Sequence, residues 1–533
     1  MRQHRTRTLV AMGASLILSA AACSSSKGTS STAGTSASGA GASAPAVVNL
    51  GYTGDMQVPD PDIFYEIEGN SVMTSVYEGL VQYANNTTQI VAALADMPTV
   101  TPDGLTYTFK LHSGATFHDG TTMTSNDVKA SFTRRTALGA TSAPGYMLAD
   151  VTSYDTPDPS TFVVHLKQPV AAFLDYLAAP YGPKVSSSAV LTAHAGSDNA
   201  QGWLKAHDAG TGPFTMSEFV PGNHYTLNRF DNYWGGKPAV SQVHISILPD
   251  ISTQQLELQN GQLQMILHGL SKDDVASFEH NKKFQVQRFP ANFKVLLMTN
   301  QKKGIFKDQG LRTALQSAIN KQQIVSQVYG SDATVSSQVY PAGVLPAGMA
   351  SDTVPFDQAK LANAVKGLSD KKVDLAYSND DARNQRVAEI IQTELQAAGL
   401  NATVRGMPIA QIFDLPNHAD QAPDLLLSTV NPDASHPDTW IRIFMNTQGS
   451  LNWLLCSVPE ADKEMDLGLH STTTGDIQSH YAKAGTLEVA SGCFDTIADV
   501  KDVVVAAAGY SNWVHQLPTL FSVRFGALKL GPG

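Results

Sequence analysis

The first 45 residues of this 533-residue chain cannot form a hydrophobic core, whereas the rest of the chain can. Three arginines within the first seven residues precede an apolar run from Leu9 to Leu18, and small residues lead from that run to Cys23. This order is typical of a secretory signal, and the apolar run is far shorter than the roughly 20 residues that span a bilayer. We therefore expect residues 1–22 to be a signal peptide and the body to lie outside the cytoplasm.

The small residues directly before Cys23 resemble a bacterial lipobox, in which the cysteine becomes the lipid-bearing N-terminus after cleavage. This resemblance predicts lipidation of Cys23 and an anchor on the outer face of the cytoplasmic membrane, held by lipid alone. An ordinary signal peptide followed by an incidental cysteine is the alternative. Residues 23–45 consist almost wholly of Ser, Gly, Ala and Thr, a composition that predicts a flexible tether.

Composition limits the classes of function. Hydrophobic residues make up 42% of the chain, which is enough for a sizeable core, and the length predicts two to four domains. The chain has 36 basic and 47 acidic residues, a formal net charge of −11, which argues against a nucleic-acid partner. Its three cysteines exclude a disulfide scaffold and cannot supply zinc-knuckle spacing.

Hydrophobic periodicity predicts an α/β body. Residues 106–111 (TYTFKL) alternate as a strand would, whereas the apolar residues of 311–328 recur at the spacing of one long amphipathic helix. Residues 373–404 read as strand, helix and strand, with Gly399 ending the helix. Such a unit indicates a parallel crossover.

No enzyme motif is found in the sequence. It contains no G-x-S-x-G elbow, no H-E-x-x-H and no phosphate loop ending in G-K-S or G-K-T. The 15 histidines are scattered, and none pair at helical metal spacing. We therefore expect a binding protein with no catalytic residue, no metal and no cofactor. A secreted hydrolase is the alternative from a different class.

Several sequence blocks share their order and spacing with one known family. The first runs from Asp103 to Val128 and includes DGLTYTFKL and FHDG; the second combines GTGPF at 210–214 with NYWGGKP at 232–238. A third block lies between Asn300 and Ile319. Together they resemble the family 5 extracellular solute-binding proteins, the oligopeptide, dipeptide and nickel receptors of ABC importers, over nearly the whole mature chain.

The resemblance implies a two-lobed α/β fold like that of periplasmic binding proteins, with an extra domain inserted in the first lobe. It also implies a hinge of two crossing strands, which we expect near residues 295–300 and 504–511. The expected boundaries are a first lobe of residues 46–85, 205–295 and 508–533, an inserted domain of residues 86–204, and a second lobe of residues 296–507.

The family's role implies a monomeric receptor that captures extended oligopeptides between two closing lobes and delivers them to the permease subunits of an ABC importer. Two alternatives stay open within the same fold. One is a receptor for a different solute, such as a nickel chelate or a glycoside. The other is a signalling or adhesion lipoprotein that no longer serves transport.

A free peptide amino terminus requires a buried carboxylate, because an unpaired buried charge is costly. The family places this carboxylate a few residues before an acid–proline pair, and alignment on Pro437 selects Asp433. The alternative is that Asp433 only caps a turn. The further cleft residues implied by the resemblance are Asn431, Ser435, His436 and Trp440 in the same segment, and Asp55, Met56 and Gln57 near the start of the body. A core position is the alternative for Trp440, and a solvated loop is the alternative for residues 55–57.

Cys456 and Cys493 remain once Cys23 carries the lipid. Outside the cell a disulfide between them is expected. The chain-entropy model gives such a link a stabilisation of about 3–4 kcal/mol. Two buried free thiols are the alternative.

Overall fold

The computed structural model describes residues 46–531 except Gln57 and residues 139–144. The predicted signal peptide, the tether and Cys23 lie outside the described residues, and so does the predicted cleft residue Gln57. Within the described part of the chain, no helix combines the length and the apolar character needed to cross a bilayer.

The body opens with β1 (Val47–Tyr52), a strand with a buried core face, which a loop connects to the buried helix α1 (Asn70–Val76). The elements that follow, up to residue 204, are β2 (Val81–Tyr83), β3 (Ile90–Ala92), β4 (Thr99–Val100), β5 (Thr106–Lys110), α2 (Ser125–Leu138), β6 (Val151–Asp158), β7 (Thr161–Leu166), α3 (Phe173–Ala178), α4 (Ser188–Ala193) and α5 (Gln201–Leu204). The alternating segment at 106–111 is β5, with Tyr107 and Phe109 buried on one face, as predicted.

Strands β4, β5, β7 and β6 form a four-stranded antiparallel sheet with its own hydrophobic core. We call this sheet and the helices packed around it the inserted domain. The elements after it are β8 (Phe214–Val220), β9 (His224–Arg229), β10 (Gln242–Ile247), α6 (Ile251–Gln259), β11 (Met265–Ile266), α7 (Lys272–Glu279) and the long strand β12 (Phe284–Thr299). We call the part built on β1 and β8–β11 the first lobe.

The rest of the chain begins with α8 (Gln309–Ala318), α9 (Lys321–Ile324), β13 (Ala333–Val335), α10 (Gln358–Ala364), β14 (Lys372–Ser378), α11 (Ala382–Ala397), β15 (Asn401–Met407), α12 (Ile409–Asp414) and β16 (Leu425–Val430). It ends with α13 (Pro437–Phe444), α14 (Pro459–Leu469), α15 (Thr474–Ser491), β17 (Phe494–Ala507), β18 (Tyr510–Ser511) and β19 (Lys529–Leu530). We call the part built on β14–β16 the second lobe.

Two sequence predictions for this lobe have different outcomes. Strand, helix and strand are confirmed at 373–404, because β14 and β15 pair in parallel around α11. The single helix predicted over 311–328 is wrong. Ile319 adopts an extended conformation that ends α8, and Asn320 then caps α9 through its side chain, which accepts a hydrogen bond from the N–H of Gln323. A π-helical turn at Val325–Tyr329 completes the segment.

One mixed sheet continues through both lobes in the order β15-β14-β16-β12-β17-β11-β1-β10-β9-β8, with β13 on β17. The long strands β12 and β17 pair antiparallel, and β12 leaves its regular register between Phe289 and Phe293. These are the two crossing strands expected from the sequence. They begin earlier than predicted, at Phe284 and Phe494, because their pairing extends into both lobes.

A disulfide joins Cys456, in the loop before α14, to Cys493, which directly precedes β17. Both residues are buried in a hydrophobic cluster of the second lobe. The link therefore fastens the loop that follows α13 to the start of a crossing strand.

Candidate ligand site

The candidate site is the segment that follows β16 and leads into α13, where Asp433 is only 4% exposed. Its Oδ1 atom accepts a hydrogen bond from the Tyr65 hydroxyl at 2.7 Å, and its Oδ2 atom accepts one from the Tyr146 hydroxyl at 2.7 Å. Tyr65 lies in the first lobe between β1 and α1, and Tyr146 lies in a 3-10 turn, Gly145–Leu148, of the inserted domain. A carboxylate of the second lobe therefore accepts hydrogen bonds from both the first lobe and the inserted domain.

The electrostatic surroundings of Asp433 differ from those of most buried carboxylates, which are paired with a cation. Burial raises the pKa of Asp433 to about 6, although hydrogen bonds from Tyr146 and Tyr65 and the charge of Arg135 oppose the rise. No Lys, Arg or His in the described part of the chain forms an ion pair with Asp433. The ion pair of Arg135 is with Asp62, whose Oδ1 atom lies 3.8 Å from Nη1 of Arg135. A carboxylate offers about four lone-pair positions, so Asp433 can accept a cationic donor beside the two hydroxyls.

A buried ionic cluster fixes the loop that carries Tyr65. Arg134 on α2 donates to the two oxygens of Asp60 at 2.8 and 2.5 Å and to Asp62 at 2.6 Å. Burial and the charge of Asp60 raise the pKa of Asp62 to about 6, and Arg134 opposes that rise. The first-lobe loop is thus tied to a helix of the inserted domain, which holds the Tyr65 hydroxyl at the candidate site.

The structure brings three of the predicted cleft residues close to Asp433 in the same segment. The N–H of Ser435 donates to the Tyr83 hydroxyl at 2.9 Å, and its own hydroxyl donates to Oδ1 of Asn292 at 2.5 Å. His436 caps α13, because its Nδ1 atom accepts from the N–H two residues later at 3.2 Å. Asn431 is half-buried and donates to the carbonyl of the next residue. These side chains shape the segment around the carboxylate.

The other predicted cleft residues lie elsewhere. Trp440 is 0% exposed and packs in the second-lobe core, the position that the sequence left as its alternative. Asp55 accepts hydrogen bonds from the N–H of Gly222 and from the Tyr225 hydroxyl, and the N–H of Met56 donates to the same hydroxyl at 2.9 Å. Both residues are therefore fastened to the antiparallel strands of the first lobe, and no hydrogen bond among the described residues joins them to Asp433.

A second charged cluster contains two ion pairs from different lobes. In the first lobe, His268 Nε2 lies 2.8 Å from Glu68 Oε1, and the Thr53 hydroxyl donates to the same oxygen at 2.8 Å. In the second lobe, Arg383 donates to Oδ2 of Asp381 through Nε at 2.9 Å and Nη2 at 2.7 Å. Burial alone would lower the pKa of His268, but Glu68, with a smaller contribution from Asp381, holds it above its ordinary value.

Sequence reasoning missed the two tyrosines that donate to Asp433 at the candidate site. Tyr65 is 368 residues and Tyr146 is 287 residues from Asp433 along the chain, and no motif marks either one. Their role depends on contacts between the first lobe, the inserted domain and the second lobe. For metals, no group of three or more His, Cys, Asp or Glu residues in the described ranges is placed to hold an ion.

Comparison with known proteins relates this geometry to one family. The family model for bacterial extracellular solute-binding proteins, family 5 Middle, matches residues 89–452. A curated relative from Escherichia coli K12, "Probable D,D-dipeptide-binding periplasmic protein DdpA", is 26% identical over 403 residues, which cover 74% of this chain and 76% of the relative.

Solved structures show the same fold. A DppA protein from Helicobacter pylori in complex with the peptide STSA has a TM-score of 0.78 at 20% identity, over 91% of this chain and 98% of that one. A NikA protein from Brucella suis in complex with Fe(III)-EDTA has a TM-score of 0.81 at 20% identity, over 91% and 100% of the two chains. These matches confirm the two-lobed α/β fold expected from the sequence.

Proposed function

The chain belongs to family 5 of the bacterial extracellular solute-binding proteins, and on that premise we propose that it is a receptor for oligopeptides with a free amino terminus. Membership makes it a substrate-binding protein of an ABC importer. The peptide would bind as an extended strand, with main-chain hydrogen bonds supplying affinity and Asp433 accepting the terminal ammonium. The protein would act by binding and release, without catalysis.

The environment of Asp433 is the observation that carries this proposal. The carboxylate is buried, its two hydrogen-bond donors are neutral hydroxyls, and burial raises its pKa to about 6. An ammonium group that arrives with a ligand would supply the missing positive charge and form charge-assisted hydrogen bonds, which are roughly twice as strong as neutral ones. The ligand that suits this carboxylate best therefore carries a primary ammonium.

The arrangement of the three parts supports capture by closure. Tyr65 and Tyr146 contact Asp433 from the first lobe and the inserted domain, while β12 and β17 run through both lobes. Rotation about these two strands would separate the tyrosines from Asp433 and admit a peptide, and the return would exclude water from the amine. Lower water content strengthens the contact between ammonium and carboxylate.

The proposal includes the expected anchor and the expected domain limits. A lipid on Cys23 and the tether of residues 23–45 would keep a monomeric receptor near its permease subunits, outside the cytoplasmic membrane. The lobes and the inserted domain would follow the boundaries expected from the sequence.

Identification of the bound ligand tests the proposal directly. Native mass spectrometry of the purified protein should reveal co-purifying peptides of mixed sequence and narrow length. Titration calorimetry should then show that acetylation of the amino terminus of one such peptide weakens binding by about 100-fold. A co-purifying sugar or metal chelate, or equal affinity for the acetylated peptide, would contradict the proposal.

A further inference from the structure

A groove of about 830 Å³ lies on the second lobe, between α9 with its π-helical turn, the segment before α10, and one face of α11. Its lining includes Gln323, Gln327, Phe356, Gln358 and Glu394. None of these residues belongs to the segment around Asp433. We call this feature the α11 groove.

Glu394 is a buried carboxyl group in a groove whose other charged lining residues are exposed. The residue is 8% exposed, and its Oε1 atom accepts a hydrogen bond from the N–H of Asn320 at 3.0 Å. Its Oε2 atom is buried and has no hydrogen-bond partner among the described residues. A buried acceptor without a donor costs about 1–3 kcal/mol, so this oxygen indicates a missing donor.

The surrounding side chains provide further unused acceptors. The side-chain amides of Gln323 and Gln327 are exposed and make no hydrogen bond to another described residue. Gln358 donates to the main-chain carbonyl of Glu394 at 3.2 Å, and its own amide oxygen accepts no hydrogen bond from a described residue. The residues that carry these acceptors therefore line the same groove as Glu394.

An aromatic ring also lines the groove. Phe356 is 50% exposed, so about half of its surface is available to a ligand. A positive charge within about 6 Å of an aromatic face is attracted by about 0.5–1 kcal/mol at an exposed site. A π-helical turn, Val325–Tyr329, contributes Gln327 to the groove, and such turns often occur at functional sites.

We propose that the α11 groove is a second ligand site, for an organic amine whose ammonium donates to Oε2 of Glu394 and whose hydrocarbon part covers Phe356. The amide oxygens of Gln323 and Gln327 accept the remaining N–H groups. Arg386 and Glu389 also line the groove with opposite charges, and Gln385 donates to Glu389 at 2.9 Å. With Glu394 ionised, the three charged groups leave one net negative charge for a cation.

The electrostatics of Glu394 agree with this geometry. Burial raises its pKa to about 7, and the hydrogen bond from Asn320 opposes the rise only in part. An ammonium in contact with Oε2 would compensate the charge that burial disfavours. The proposal does not depend on the role of Asp433, because the two carboxylates lie in separate segments.

Calorimetric titration of the purified protein with spermidine tests the site. An Asp433→Asn background removes any contribution of the candidate peptide site. We expect saturable binding that Glu394→Gln weakens at least about 10-fold and that Phe356→Ala weakens about threefold. Gln keeps the acceptor for the Asn320 N–H, and an exposed Phe is removed without a core cavity, so both variants should fold.

Two controls make the result decisive. Glu460→Gln removes an exposed carboxylate on α14 and should leave spermidine affinity unchanged. A neutral polyether of similar length should not bind. The proposal is overturned if spermidine does not bind saturably below about 10 mM, or if Glu394→Gln binds as tightly as the parent.

Discussion

Asp433 and Asp438 are buried carboxylates five residues apart, yet the protein surrounds them differently. Asp433 accepts hydrogen bonds from two neutral hydroxyls, both at 2.7 Å. Asp438 also accepts from two hydroxyls, those of Tyr481 at 2.8 Å and Tyr176 at 3.2 Å. In addition, the guanidinium of Arg442 contacts both oxygens of Asp438 at 2.9 and 3.1 Å.

The difference separates a carboxylate that has a counter-ion among the described residues from one that has none. Asp438 has its counter-ion one helical turn away on α13, so its charge is compensated within the protein. No Lys, Arg or His of the described residues forms an ion pair with Asp433, although the charge of Arg135 lowers the pKa of its carboxyl group. Burial is nearly equal at the two positions, 4% and 1% exposed. The identity of the donors, and not the depth of burial, therefore distinguishes the candidate site.

Replacement of Asp433 should have the largest effect on binding. In Asp433→Asn the side chain keeps its shape, but the ligand ammonium loses its counter-ion in a buried site. We expect affinity for an unblocked tripeptide to fall about 100-fold, or about 3 kcal/mol, by titration calorimetry. The midpoint of thermal unfolding without ligand should stay the same or rise, because a buried charge without an ion pair is removed.

A peptide with an acetylated amino terminus provides the matched control for this variant. It should bind the parent protein and Asp433→Asn with similar weak affinity, because neither complex contains the ammonium–carboxylate contact. If the variant binds the unblocked tripeptide as tightly as the parent does, the assignment of Asp433 is wrong.

Replacement of Asp438 should have the opposite consequence, a loss of stability with little change in peptide affinity. Asp438→Asn leaves the Arg442 guanidinium without its buried partner, which commonly costs 3–5 kcal/mol when an ion pair is fully buried. Arg442 also contacts the exposed Asp466 at 2.8 Å, so we expect a loss of about 2–3 kcal/mol in urea denaturation. Peptide affinity of the folded variant should change less than about threefold. A selective loss of binding with normal stability would remove the distinction between the two carboxylates.

The sequence predicted those parts of the fold that depend on short-range patterns. Alternation located β5, and the strand–helix–strand unit at 373–404 was visible because each element has its own apolar face. The break in the predicted helix at 311–328 depends on Ile319 and on the capping side chain of Asn320. Apolar spacing continues across that break, so periodicity alone could not reveal it. The full extent of β12 and β17 depends on pairing between segments about 200 residues apart.

The candidate site was predictable only in part. Family alignment on Pro437 selected Asp433 as the candidate, because the residues around that proline are a local pattern. It could not show whether the carboxylate would be compensated within the protein, because the answer depends on which distant donors approach it. Tyr65 and Tyr146 come from two other parts of the molecule. The interior position of Trp440 likewise follows from the packing of α13 and not from its place in the alignment.

The pH dependence of binding should follow Asp433. Burial raises its pKa to about 6 in the free protein, whereas a bound ammonium would lower it. Peptide binding therefore displaces a proton below pH 6, and affinity should fall about tenfold per pH unit there and be constant between pH 7 and 7.5. Folding stability should change with pH in the opposite direction. The pKa of Asp433 is higher in the folded protein than in the unfolded chain. Its contribution to the free energy of unfolding therefore decreases as the pH rises from the unfolded-chain pKa to pH 6.

Calorimetry from pH 5 to 7.5 checks this prediction, and Asp433→Asn is its control. The affinity of that variant should show little change over the range that titrates the parent. An equally steep decline in the variant would assign the pH dependence to another group.

Removal of single hydroxyls should give the smallest effects and sharpen the comparison further. Tyr146→Phe removes one neutral donor from Asp433, so we expect its pKa to rise and peptide affinity near pH 7 to fall about threefold to tenfold, equivalent to about 1 kcal/mol. Tyr176→Phe removes the weaker donor of Asp438 and should leave affinity within about twofold, with a stability loss of at most about 1 kcal/mol. If Tyr146→Phe instead binds peptide more tightly, the hydroxyl competes with the ligand for the carboxylate. Tyr146 would then close an empty site, whereas a loss of affinity means that it helps to orient the carboxylate toward the ammonium.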